Sequence, residues 1–182
     1  MIECLTARAP SCGRQRRRAD RVCAQMASWS EVEREAPELC ATAREFLDAF
    51  VHKTLATLRR DGSPRISGSE VIFADGDLWV GSMWRSMKAL DLQRDPRFAL
   101  HSGSPDPEAG WHGDAKLAGR VEEISDQERI TEIVAGHAPP GPMHLFRCDI
   151  SELAVVRLSD PPDHLVIESW HKGRGVERVE RK

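Results

Sequence analysis

A small antiparallel β-barrel with helical covers is the fold class this sequence predicts, and three observations predict it. Six or seven short extended stretches run along the chain, most of them separated by tight-turn signals rather than by helices. Asp61-Gly62 and Asp75-Gly76 each lie between strand-like runs, and Asp-Gly accepts the positive φ that hairpin turns demand. There is no βαβ alternation and no internal repeat, so doubly wound sheets and solenoids drop out.

The organised part opens with "SEVEREAPELCATAREFLDAF". Ser30 and Glu33 form a capping-box pattern, and Val32, Leu39, Ala43, Phe46, Leu47 and Phe50 recur at near-helical spacing. Pro37 has no amide hydrogen to donate, so it bends this helix or delays its start. Three strands follow at 54–60, 64–73 and 77–82, a meander joined by the Asp-Gly turns. On the last of them Trp79 alternates with Leu78 and Val80 and reads as packing. The spacing then predicts a helix over 83–93, with Ser82 as candidate N-cap and Ser86 one turn further on. Met83, Met87 and Leu90 take the core-facing positions i, i+4 and i+7, and Asp95-Pro96 stops the helix.

"RFALHSG" and "AKLAGRVEEI" are strands flanking the Pro/Gly-rich loop "SPDPEAGWHGD". Ser125 and Glu128 predict a second capping box, opening a short helix that carries Ile130, Ile133 and Val134 and ends at Gly136. After the stiff loop "HAPPGPMHL" come strands at 145–158 and 164–170 and a charged tail, "HKGRGVERVERK".

Composition narrows the function classes. The 182 residues suit one domain with a tail, and 40% hydrophobic residues are enough to bury a core. A formal net charge of −3 argues against a general nucleic-acid binder, and no apolar run approaches the length of a membrane span. Cys4, Cys12, Cys23, Cys40 and Cys148 are scattered without CxxC or zinc spacing and read as free thiols of a reducing compartment, the cytoplasm. The seven histidines show no metal-ligand pattern. Residues 1–28 carry the basic run Arg14–Arg18 and little periodicity, and they read as a disordered extension or a start placed upstream of Met26. The organised domain is then 29–182.

Candidate chemistry gathers in "GSMWRSMKALDLQRDPR", residues 81–97. A helix N-terminus has unpaired N–H groups and partial positive charge, and Arg85 and Lys88 lie three apart beside it. A phosphate fits this set; so does the plainer reading of two solvated charges on a surface helix. Trp84, at the same turn, suits either the pocket wall or a subunit contact.

The segment "TLATLRRDGSPRISGSEVIFADGDLWVGSMWRSMKALDLQRDPRFAL" resembles the flavin-binding core of the pyridoxamine 5′-phosphate oxidase-like family, the FMN-binding split barrels. The ordered set of helix, two hairpins, strand, Gly/Ser, Ser-x-Lys helix and Arg-Asp-Pro-Arg carries the resemblance. It continues more weakly through "GRVEEI" to "ESWHKGRGVERV", over roughly residues 45–178. The fold it implies is a split antiparallel β-barrel that dimerises around its cofactor groove.

Position by position, the resemblance implies that "ISGSEV" runs beside the isoalloxazine, with Ile66, Ser67, Gly68 and Ser69 as contacts. Gly81 and Ser82 would lie under the ribityl-phosphate arm, and Lys88 would hold the phosphate. Met87 stands where the oxidase carries arginine, which leaves Arg85 as the substitute cation. Asp114 matches a glutamine that contacts the flavin. Trp170 resembles the C-terminal tryptophan that closes the site, with Arg174 or Arg178 as the late arginine.

The oxidase's pyridoxine-phosphate set has no counterpart, and the chain has no Tyr, so the resemblance points away from vitamin B6 oxidation. The family includes a branch using the deazaflavin coenzyme F-420 in the same groove, so the implied cofactor is FMN or coenzyme F-420. The implied activity is hydride transfer to or from a small molecule by a homodimer, with no side chain required as catalytic acid or base. A non-catalytic flavin, deazaflavin or haem carrier or sensor is the alternative on the same fold.

Overall fold

The structure, a computed structural model, describes residues 27–105, 110–134 and 141–182. The predicted extension up to residue 26 and the predicted helix end at Gly136 lie outside the described residues. Ala27 and Ser28, assigned by sequence to the extension, belong to the domain. Ala27 exchanges two 2.8 Å backbone hydrogen bonds with Ile150, and Ser28 caps the first helix.

Helix α1 spans Trp29–Glu35 and α2 spans Pro37–Asp48. The capping box is Ser28 with Glu31, not Ser30 with Glu33; both hydroxyl and carboxylate bonds are present. The frame is set by packing: Trp29 is buried edge-on against Phe73, ring centroids 4.8 Å apart. Pro37 takes the first turn of α2, where its missing N–H costs nothing, so the expected bend becomes a break between two helices.

The strands are β1 Lys53–Leu58, β2 Pro64–Ser69, β3 Val71–Ala74, β4 Asp77–Met83, β5 Arg97–His101, β6 Gly113–Ile124, β7 Met143–Leu158, β8 Leu165–His171 and β9 Gly175–Arg181. Helices α3, Met87–Arg94, and α4, Gln127–Val134, separate β4 from β5 and β6 from β7. Asp126, not Ser125, supplies the cap of α4, accepting from Glu128 N and Arg129 N. All pairings are antiparallel, in the order β2-β1-β5-β6-β7-β4-β3, with β8 on β7 and β9 on β8. The predicted antiparallel barrel with helical covers is what forms. At the turn between β3 and β4, Asp75 and Gly76 hold φ of 54° and 78°, the conformation the Asp-Gly signal anticipates.

The predicted strand 64–73 is one run that changes partner. Its first half, β2, pairs with β1; its second half, β3, pairs with β4; Glu70 lies between. Both ends of the sheet order are therefore the same stretch of chain, and the barrel closes through a covalent bend. On the far side β7 does the opposite. β6 follows one edge of it throughout, while β4 takes Met143–Cys148 of the other edge and β8 takes Glu152–Leu158.

Leu55, Leu78, Leu100, Leu117 and Leu153 fill the barrel, and α1 and α2 extend that core. A second cluster forms outside, where Ile130 and Ile133 of α4 cover Trp79 and Leu145. Strand β4 is thus buried on both faces, and Trp79 is the packing residue expected. Among the described residues no helix is long and apolar enough to cross a membrane.

Long strands β6 and β7 stay paired only through a bulge: the register slips between Ala118 and Gly119, leaving Ser151 as the extra residue. Ser151 Oγ donates to Ala118 O at 3.1 Å. A Cβ at Gly119 would lie 1.9 Å from Asp149 O, which is backbone and cannot swing aside. Gly119→Ala is therefore expected to lower stability by about 2 kcal/mol in urea denaturation, whereas Gly62→Ala, where a Cβ meets nothing and only a positive φ opposes it, loses about 1 kcal/mol.

Candidate functional site

The turn before α3 shapes the site. The predicted helix 83–93 starts instead at Met87, because Arg85 adopts the left-handed region (φ 54°) and ends a turn in which Ser86 N donates to Met83 O. Ser86 is the N-cap, its hydroxyl accepting from Ala89 N at 3.3 Å. Ser82, the expected cap, instead shares a 2.5 Å hydrogen bond with the Ser86 hydroxyl. Arg85 thus precedes the helix and is exposed, and only Lys88 stands on its first turn.

The later start also turns the helix. Ala89, Asp91 and Leu92 are buried, whereas Met83, Met87 and Leu90, expected in the core, are 70%, 56% and 38% exposed. Asp91 sets this phase. Its carboxylate accepts from Arg65 Nε at 2.6 Å, Arg94 at 3.0 Å and Thr57 at 3.1 Å, clamping α3 to β1 and β2. Burial alone would push the Asp91 carboxyl up; the Arg65, Arg94 and Thr57 hydrogen bonds outweigh it and hold the group below its ordinary range.

At the Glu70 break a cleft of about 620 Å³ opens between the β2–β3 bend, the end of β4, α3, and the end of α4 with Met143. This is within the usual size of small-ligand pockets. Gly68, Ser69, Gly81, Ser82 and Lys88, five of the residues singled out by sequence, line it. Lys88 Nζ donates to Gly68 O at 2.7 Å and to Ser69 Oγ at 3.3 Å. An ammonium has three N–H groups, so these two bonds aim the lysine and leave a third donor. Burial lowers the Lys88 pKa, and Glu70 at the rim pulls it back up. Beside Lys88 the first turn of α3 presents amides that no helical carbonyl reaches. His52 and Glu70, 3.6 Å apart, are the other titratable groups of the lining.

The remaining sequence candidates lie elsewhere. Ser67 is not among the residues that line the cleft, and Met87 is on the exposed face of α3. Ile66, 72% exposed, borders a shallow trough of about 280 Å³ on the outer sheet, in one cross-strand row with Ala56, Ala99 and Ala118. Asp114 is on β6, three strand spacings or about 14 Å from β2, next to His101 at 3.4 Å. It is not among the residues that line the cleft. Trp170, expected to close the site, is corrected: its ring is fully buried in the core, and its indole N–H donates to Glu35 at 3.1 Å. Cys40 and Cys148 are buried free thiols; burial pushes Cys40 up to about 12 and raises Cys148 as well, so neither is a nucleophile near neutrality.

Sequence reasoning missed three residues around this site: Asp91, Glu123 and His144. Asp91 leaves a trace in "ALDLQR", a lone acid between leucines with Arg94 three residues on. Glu123, near the end of the strand "AKLAGRVEEI", accepts from His144 and Gln93. His144 has no local signal.

The chain matches the pyridoxamine 5′-phosphate oxidase family over residues 39–157, about two thirds of its length, and it belongs to that family. A comparison with curated proteins gave no match. Among solved structures, a pyridoxamine 5′-phosphate oxidase-related, FMN-binding protein from Nostoc punctiforme superposes with a TM-score of 0.55 at 14% identity, covering 78% of this chain and 94% of that one. PhzG from Burkholderia lata, in complex with tetrahydrophenazine-1-carboxylic acid, gives 0.54 at 14% identity, covering 78% and 87%. A haem-binding protein from Mycobacterium smegmatis gives 0.53 at 15% identity, covering 80% and 88%. These likenesses establish the split-barrel fold.

Removing the Asp91 charge tests the clamp on α3. Asp91→Asn is expected to cost about 3 kcal/mol in urea denaturation at pH 7, because two guanidiniums lose their carboxylate. A carboxyl held low when folded stabilises above its unfolded pKa of about 3.9 and loses that contribution as pH falls through the folded value. Wild-type stability should therefore drop below about pH 4, with Asp95, held down at about 2 by Arg97, adding to the loss. In Asp91→Asn the drop should be shallower, measured by denaturation across that range.

Proposed function

We propose that this protein is an FMN-dependent oxidoreductase of small molecules that works as a homodimer, with coenzyme F-420 as the alternative cofactor for the same cleft. The carrying observation is the convergence of Gly68, Ser69, Gly81, Ser82 and Lys88 on one cleft beside the first turn of α3. The donor chemistry fits a phosphorylated cofactor. Lys88 Nζ is aimed by two bonds, the Ser82–Ser86 hydroxyl pair is adjacent, and the helix amides favour an anion. Among the described residues β2 pairs on one side only, so its other edge keeps backbone N–H and C=O groups for a ring with polar edges. FMN, when bound, supplies hydride transfer. The chain's part is to hold the phosphate at Lys88, to exclude water with Val71, Ile72 and Met143, and to offer Glu70 and His52 at the open rim to the substrate.

The homodimer reading rests on Ile66, Met83, Trp84, Met87 and Leu90, large apolar side chains exposed on β2, the turn before α3, and α3 itself. Clustered exposed apolar residues are what an interface covers. A second reading, a haem or flavin carrier, is favoured by the likeness to the mycobacterial haem-binding protein and by His52, the histidine in the cleft lining.

Thermal melting with FMN, coenzyme F-420 and haemin in parallel separates these readings. The true cofactor, at about 100 times its Kd, should raise Tm by roughly 5–10 °C. Lys88→Ala should abolish an FMN or F-420 shift. A shift by haemin alone supports the carrier, and no shift by any of the three removes the oxidoreductase reading. For the dimer, Met87→Glu should convert the protein to a monomer by light scattering; a monomeric wild type would overturn that part.

A further inference from the structure

The turn that leads into α3 beside the cleft is held at Arg85 by a buried side chain. His144, at the start of β7 opposite Ser82 of β4, is 5% exposed. Its Nε2 lies 3.0 Å from Arg85 N and its Nδ1 2.6 Å from Glu123 Oε1. A backbone N–H only donates, so Nε2 carries a lone pair; the ring proton is then on Nδ1 and goes to Glu123. Gln93 of α3 fixes Glu123 from the other side, with contacts of 3.1 and 2.9 Å. The Trp84 indole lies flat on the imidazole, centroids 4.7 Å apart and planes 5° off parallel. The bond to Arg85 N thus supports a non-glycine residue in the left-handed region, a conformation disfavoured for arginine.

Resting on the reading that the cleft takes a phosphate, we propose that His144 is a positioning residue for the phosphate end of the cleft and acts as its acid-sensitive latch. The neutral Nδ1–H tautomer holds the turn. Protonation at Nε2 sets a donor against the Arg85 N–H, so the imidazolium cannot keep that bond. The left-handed turn then relaxes, and Ser86 and Lys88 lose their set positions. The charged residues beside the ring are Glu123 from β6 and the turn's own Arg85; Gln93 from α3, Ser82 from β4 and Phe146 from β7 are uncharged.

Two measurements test this. Amide exchange on the ligand-free wild type should show Arg85 N–H protection, corrected for intrinsic rate, falling about tenfold between about pH 8 and about pH 5.5. Unchanged protection would overturn the latch. FMN affinity is then followed over the same range in wild type and in His144→Gln, whose amide oxygen can accept from Arg85 without titrating. FMN's own phosphate titrates equally in both proteins, so the comparison removes it. Wild type should lose about tenfold more affinity in acid than His144→Gln, and His144→Phe should bind FMN about tenfold more weakly than wild type at about pH 8 while riboflavin affinity is unmoved. Parallel profiles for wild type and His144→Gln would overturn the proposal. Absence of FMN binding to wild type at every pH would count against the cofactor reading, and the amide-exchange result would still decide the latch.

Discussion

Everything at the candidate site depends on the chain crossing from one barrel partner to another at Glu70. Residues 64–69 spend their hydrogen bonds on β1 and residues 71–74 on β4, so no ladder closes the barrel there. The gap between the two pairings is the mouth of the cleft. Lys88 spans the opening from α3, bonded to Gly68 O and Ser69 Oγ at the end of β2. A closed ladder would satisfy these groups with backbone and leave nothing for a ligand. The partner exchange therefore creates both the opening and the donors and acceptors that border it.

That arrangement works only if α3 is fixed, and two polar hubs fix it. Asp91 ties the helix to β1 and β2 through Thr57 and Arg65, while Gln93 and Glu123 tie it to β6. Buried polar networks are costly when half satisfied, so Asp91 needs Thr57 and Arg65 for the helix to sit where it does, while the exposed Gln93–Glu123 pair adds direction. Leu92 and Ala89 supply apolar contact beneath, which alone would tolerate small rotations of the helix. The directional bonds choose one rotation, and that rotation sends Met87 and Leu90 outward, beside the exposed Met83 at the end of β4.

Much of this was legible in the sequence, because much of it is local. The Asp-Gly turns, the meander and the stop at Pro96 follow from backbone preferences of a few residues. So did the gathering of Gly81, Ser82 and Lys88, which sit within eight positions of one another. Where two local solutions overlap, the sequence cannot choose: "SWSEVERE" holds Ser28 with Glu31 and Ser30 with Glu33, and the burial of Trp29 against Phe73 decides. The phase of α3 failed for a related reason. Its apolar spacing is helical, but which face turns inward depends on Arg65, 26 residues away from Asp91. His144 was invisible altogether, since its partners are 59 and 21 residues distant. Trp170 misled because a tryptophan near the chain end looks alike whether it closes a cleft or fills a core.

The proposed phosphorylated flavin belongs at the break at Glu70, with Lys88 across it. A crystal structure of the protein grown with FMN tests it most directly. The phosphate is expected within hydrogen-bond distance of Lys88 Nζ and the first amides of α3, with the ring along the free edge of β2. A flavin lying instead on the alanine trough of Ala56, Ala99 and Ala118, with Lys88 still bonded only to Gly68 and Ser69, would contradict it.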